Sequence, residues 1–183
     1  MLTDIHMTVA CNLIKEKYKH IQGFQNTLFG QTLQFDVCRG TFVQILHTGH
    51  LHWIVVSNMF CEEAGAVDIF DSLPAKTIPM QVKLQIASII THPGNKMKLN
   101  MKYCQKQQGG VDCGLFAIAN AISLCEGKDP GMLTYDQSTM RKHLEKCLAT
   151  RNMVGYPELE PPRKLKVKTH FTHCSPLLRL QAT

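Results

Sequence analysis

No apolar run in this chain approaches the ~20 consecutive residues that a membrane-spanning helix requires. The first residues, Met1-Leu2-Thr3-Asp4, have neither the basic start nor the apolar centre of a secretory signal. These two absences point to a soluble intracellular protein, nuclear or cytoplasmic, with no membrane partner. Paired cysteines are lacking as well. The eight cysteines stand at 11, 38, 61, 104, 113, 125, 147 and 174, with no CxxC among them. That spacing argues against a structural zinc site, and without an export signal the thiols are expected to be reduced. Several lie in apolar stretches, where a thiol behaves as a small buried hydrophobe. Internal repeats are missing, and tryptophan occurs once, at Trp53.

What is present suits a single domain. The 183 residues are enough for one real core and short for two, and the 44% hydrophobic and 19% charged fractions are ordinary for a globular protein. The formal charge is +6. Part of it comes from Arg163, Lys164, Lys166 and Lys168, a cluster that could meet nucleic acid or an import receptor and is more commonly a solvated tail. Past Gly155 the composition changes, with Pro157, Pro161 and Pro162 preceding that cluster. Residues 1–155 are therefore expected to form the domain, and residues 156–183 a flexible Pro-rich and basic tail. His170, His173 and Cys174 are read as incidental rather than as metal ligands, and no cofactor is expected.

The periodicity predicts a helix from about Asp4 to Tyr18, with Thr3 as its N-cap and Ile5, Val9, Leu13 and Ile14 on its apolar face. Residues 20–40 show no readable period. Strands are expected over 42–46 and 51–56, facing each other across His47-Thr48-Gly49-His50, and a third over 66–70 ending at Asp71-Ser72. A helix from Pro79 to Ile90 is broken by His92-Pro93-Gly94, and a strand follows over 98–104. An almost wholly apolar helix should begin at Cys113 and run to about Leu124, the central helix of the domain, with a last helix over 136–148. This order describes an α+β fold.

The strongest local feature is Gly109-Gly110-Val111-Asp112-Cys113-Gly114, where a glycine-rich loop turns into the buried helix. Free N–H groups and the macrodipole at a helix N-terminus favour a thiolate, and the thiolate is the nucleophile. The bare glycines, Gly110 among them, would let a substrate backbone approach closely. A plain buried cysteine at a helix start is the competing reading of Cys113. A cysteine nucleophile needs a base, and His52, directly before Trp53, is the candidate. Its rivals His47 and His50 sit in or beside the turn and are expected to face solvent. Asp71 could orient the imidazole; Asp68 competes from the opposite face of the strand. Gln107, six residues before Cys113, could donate to an oxyanion together with the Cys113 N–H, with Gln105 and Gln108 as rivals.

Taken together, His52-Trp53, Phe70-Asp71-Ser72, Gln107 and Asp112-Cys113-Gly114 resemble the ubiquitin-like-protease family, the SUMO (sentrin-specific) proteases and their relatives. Leu2-Thr3-Asp4 resembles the start of that family's first helix, Trp-Leu-Asn-Asp. Val43-Gln44-Ile45-Leu46-His47 and Tyr135-Asp136-Gln137 are similar to a divergent, transposon-associated branch. The resemblance covers about residues 2–150. It implies a permuted papain-like fold, a mixed sheet on the central helix, with the order His52, Asp71, Gln107, Cys113. It implies cleavage after the C-terminal Gly-Gly of a ubiquitin-like modifier, with Trp53, Gly110 and Asp112 at the substrate, by a monomer. Ubiquitin or NEDD8 in place of SUMO, viral-type endopeptidase activity, a non-catalytic module that grips a modifier, and a nucleic-acid-binding role for the tail are the alternatives. One departure is that Met1 stands where the family places a second tryptophan. Either the chain is cut from a longer protein or half of that clamp is absent.

Overall fold

The computed structural model describes residues 1–90 and 97–159. Five strands form one mixed sheet in sequence order. β1 (Gln22–Gly23) runs parallel to β2 (Phe42–His47), which pairs antiparallel with β3 (Trp53–Ser57). β3 pairs antiparallel with β4 (Ala66–Phe70), and β4 runs parallel to β5 (Lys98–Lys102). β3 and β4 are buried along their whole length, and β2 up to its last residue, so they read as apolar runs instead of alternating.

Helices cover both faces. On one lie α1 (Asp4–Lys17), α4 (Cys113–Cys125) and α5 (Gln137–Ala149), packed over Val43, Ile45, Trp53, Val55 and Phe70. On the other α3 (Met80–Ile89) sends Val82, Ile86 and Ile89 onto Phe42, Leu46, Ile54, Val56 and Ile69. α2 (Phe29–Thr32) is a single short turn. Every residue of α4 is buried, as its all-round apolar sequence predicts. The α+β class and the central helix are as expected from the sequence.

Several elements differ in detail. α1 buries Met7, Ala10, Cys11, Leu13 and Ile14, while Ile5 and Val9 are 76% and 40% exposed. Small residues on the true face let α1 lie close against α4, a gain that hydrophobicity alone does not register. Thr3 does precede the helix in extended geometry, its hydroxyl 2.7 Å from His6 Nδ1. The hairpin loop is longer than expected: Leu51 adopts a φ of +53°, and His47 pairs with Trp53, so His52 lies just before β3 and not within it. Helix α3 starts after Pro79 and α5 after Asp136, whose carboxylate accepts from the Ser138 N–H. His92-Pro93-Gly94, read as a helix break, lies outside the described residues.

The unreadable stretch 20–40 is organised by glutamine side chains. Gln25 Nε2 donates to the Asp36 carbonyl and its Oε1 accepts from the Asp36 N–H. Buried Gln44 treats the Gln25 backbone in the same way, at 3.0 and 2.8 Å. Each amide does for a loop what a strand neighbour does for a strand.

Residues 156–159, expected in the tail, belong to the body. Tyr156 is 3% exposed, Glu158 bridges to Tyr135, and the Leu159 N–H donates to the Thr134 carbonyl. The basic cluster and the His170–Cys174 stretch lie outside the described residues. The seven described cysteines are free, and among the described residues no helix is long and apolar enough to cross a membrane. Phe116, fully buried in α4 with its ring edge-on to Tyr135 at 6.2 Å, carries a large share of the core. Phe116→Ala is expected to cost about 3–5 kcal/mol of stability, read as a lower urea midpoint.

Candidate active site

Cys113 is the first residue of α4, with Asp112 at the N-cap. The preceding loop reaches the helix through Gly109, whose φ of +77° disfavours any side chain. Burial alone would push the Cys113 thiol up. Hydrogen bonding and attraction from His52, with the Trp53 and Gly114 backbones, more than offset this and hold it below the usual thiol range. Burial pushes five other thiols the opposite way: Cys61 and Cys104 to about 11, Cys11 and Cys125 to about 12, and Cys38 upward as well.

His52 sits between that thiol and Asp71. Its Nε2 lies 2.6 Å from Asp71 Oδ1, which leaves Nδ1 as the ring nitrogen for sulfur. Burial disfavours the imidazolium, but hydrogen bonds to Asp71 and Cys113 and their charges raise its pKa to about 9. The second pull on Asp71 Oδ1 comes from the Leu73 N–H at 2.8 Å, which fixes the carboxylate against its own turn. A thiolate–imidazolium pair, oriented by a carboxylate, is the arrangement that delivers a sulfur nucleophile and then returns a proton to a leaving group.

The rivals left open by the sequence are placed elsewhere. Asp68 is 3% exposed and accepts from Asn100 Nδ2 at 2.9 Å, on β5 and away from His52. His50 is exposed. His47 does not face solvent as expected; its ring packs edge-on to Trp53 at 4.7 Å, and burial lowers its pKa. Gln105 pairs with the Tyr135 backbone.

Gln107 is 7% exposed, with Nε2 donating to the Gly109 carbonyl. Its Oε1 accepts from Ser72 Oγ at 2.8 Å and its backbone N–H donates to the Ser72 carbonyl. Ser72 thereby decides which way the amide points, with its N–H groups turned to the loop before Cys113. In the sequence Ser72 figures only as the end of the Phe70-Asp71-Ser72 motif; no local signal marks it as a partner 35 residues away. Trp53 is 3% exposed. Gly110 is exposed, and an added Cβ there would meet nothing within 4 Å, so packing does not demand glycine. Asp112, expected at the substrate, has both carboxylate oxygens engaged by α5, Oδ1 by Arg141 and Oδ2 by Gln137. Leu2 packs directly on Gly114, where a Cβ would come within 3.1 Å of it. Among the described residues no three His, Cys, Asp or Glu side chains are grouped to hold a metal.

The backbone of the chain superimposes on the C-terminal protease domain of Ulp1 solved with Smt3, the yeast ortholog of SUMO. The TM-score is 0.60 at 15% identity, over 82% of this chain and 77% of that one. This chain has a Ulp1-type protease fold. Ulp1 with its catalytic cysteine oxidised to a sulfenic acid gives 0.59 at 16% identity, covering 81% and 77%. The Xanthomonas campestris effector XopD bound to ubiquitin gives 0.54 at 15% identity, covering 79% and 90%. These neighbours are ubiquitin-like proteases, and at such identities the likeness is one of fold. No family profile matches the sequence, and no curated protein does.

The folded-state pKa of His52 exceeds its ordinary 6.5, so the attraction stabilises the native state fully below about pH 6.5 and is lost as pH rises through about 9. Asp71→Asn should lower the pH at which the imidazolium releases its proton. An NMR titration of the His52 ring checks this; a titration that did not move would show that Asp71 does not hold the charge.

Proposed function

We propose that this chain is a cysteine peptidase that hydrolyses the bond after the C-terminal Gly-Gly of a ubiquitin-like modifier, in SUMO-type processing or deconjugation. The observation that carries the reading is the position of His52, 2.6 Å from Asp71 and pulling the Cys113 thiol below its ordinary pKa. The Ulp1-type fold supplies the substrate class.

In this reading Cys113 and His52 hold a thiolate and an imidazolium at rest. The sulfur attacks the carbonyl carbon of the terminal glycine, a C–S bond forms, and the carbonyl π electrons move to oxygen. That oxyanion is received by the Cys113 N–H at the helix mouth and by the Gln107 amide. When the C–N bond breaks, its electrons leave with nitrogen, and His52 gives its proton to the departing amine. Water then attacks the thioester, with neutral His52 taking its proton, and the thiolate leaves. Asp71 keeps the ring turned and its positive charge stabilised. Trp53, directly after the base, restricts the approach to residues without side chains. The described residues belong to the catalytic domain in this reading.

A second reading places ubiquitin in the same site, favoured by the XopD neighbour solved bound to ubiquitin. Matched SUMO and ubiquitin probes ending in vinyl sulfone or propargylamide separate the two. The expected result is a covalent adduct at Cys113 with one modifier in preference to the other. Absence of an adduct with both would overturn the assignment in favour of a non-catalytic binder. Cys113→Ala should lower turnover by on the order of 10⁶-fold with folding intact, as measured with a fluorogenic modifier amide. Gln107→Ala should lower kcat by about 10²–10³. Full activity in Cys113→Ala would mean that the nucleophile lies elsewhere.

A further inference from the structure

We propose that Gln137, the first residue of α5, is the positioning residue for the loop that delivers both oxyanion donors, Gln107 and the Cys113 N–H. The proposal rests on the peptidase reading above and adds to it a residue that touches neither substrate nor sulfur.

Residues 103–112, between β5 and α4, form neither helix nor strand. Two glycines within this stretch raise the entropy that must be lost to hold it in one shape. Gln107 is buried and tied to Ser72, but Gly109, Gly110 and Val111 are exposed, so burial does not hold the segment that leads into Cys113. What does is α5. Gln137 Oε1 accepts from the Gln108 N–H at 2.8 Å, and its Nε2 donates to the Gln108 carbonyl and to Asp112 Oδ2, each at 2.9 Å. One amide thus spends both of its N–H groups and a carbonyl lone pair on the two ends of the Gln108–Asp112 turn. One helical turn further on, Arg141 Nη2 donates to Asp112 Oδ1 at 2.8 Å. Upstream, Gln105 is bonded to the Tyr135 N–H and carbonyl at 2.6 and 3.1 Å.

These bonds reach the chemistry through two short links. Gln107 Nε2 is held on the Gly109 carbonyl, the residue next to the clamped Gln108. Asp112, held by Gln137 and Arg141, immediately precedes the Cys113 N–H. His52 and Asp71 are bonded to each other, and Asp71 to the Leu73 N–H, and α5 takes no part in either bond. The clamp therefore acts on the donors for the oxyanion and leaves the acid–base pair alone. The start of α5 is itself fixed, because Asp136 Oδ1 accepts from the Ser138 N–H and hydroxyl.

The test separates the two halves of the machinery with two probes. Iodoacetamide alkylation of Cys113 reads the thiolate–imidazolium pair and needs no oxyanion donor. A modifier ending in a glycine aldehyde forms a hemithioacetal with Cys113 and engages those donors. For Gln137→Leu we expect kcat on a fluorogenic modifier amide to fall by on the order of 10²-fold with KM little changed. Aldehyde affinity should weaken in parallel, while the alkylation rate and its pH profile stay at wild-type values. Gln137→Glu keeps the acceptor, loses the donors and faces Asp112 with a like charge; it should behave the same way and serves if the leucine variant folds poorly. Combined with Gln107→Ala, either change should cost less than the product of the single effects. Wild-type kcat in both Gln137 variants, alongside an impaired Gln107→Ala, would overturn the proposal while sparing the peptidase reading. Alkylation falling in step with kcat would also overturn it, making Gln137 a fold-stabilising residue only. Wild-type protein in which neither probe reacts at Cys113 would sink the peptidase reading and this proposal with it.

Discussion

The hydrogen bond between His52 and Asp71 is the interaction on which the site depends, and the sheet exists in the register that makes it. Val55 pairs with Phe70 and His47 with Trp53, which brings the two side chains to the same edge from residues 19 apart in sequence. A shift of one residue in either strand would turn one partner to the wrong face. Burial on both sides of β2, β3 and β4 is what forbids such a shift. The same burial sets the electrostatics. In a partly dehydrated site the hydrogen bonding and attraction between His52 and Cys113, with the nearby backbone groups, are strong enough to reverse the upward push of burial on that thiol.

Cys113 contributes the other half of the geometry. Helix α4 is apolar around its whole circumference and can only be buried, so its position is set by the core, and its first turn arrives at the sheet edge with the core's rigidity. Leu2 against Gly114 shows how closely the first residues are packed beside that turn. Cys113 therefore has a tightly held backbone, and His52 opposite it stands just before β3, a strand that is buried along its whole length.

Much of this was legible from the sequence. The step from a glycine loop into an apolar run located Cys113, and β-branched enrichment with Trp53 located the hairpin. Alternation along β4 separated Asp71 from Asp68. The failures share a cause. The buried face of α1 takes in Ala10 and Cys11 beside the expected Leu13 and Ile14, and the value of these two small residues lies in close approach and not in hydrophobicity. His47 belongs to β2, one residue past the strand end that the sequence suggests, and so lies on Trp53 and not in the solvent-facing turn. Ser72 and Gln137 act through hydrogen bonds across 35 and 29 residues, and an isolated polar side chain carries no local sign of so distant a partner.

Glutamine is the recurring device in those distant links. Gln25, Gln44, Gln105 and Gln137 each close a two-way pair with the N–H and carbonyl of a remote residue. A ladder between strands commits every residue along it, so an insertion displaces all that follows. A single amide commits one residue and leaves its neighbours uncounted. Loops attached in this manner can lengthen or shorten on either side of the anchored point without moving it, which lets the surrounding surface diversify while His52, Asp71 and Cys113 stay where they are.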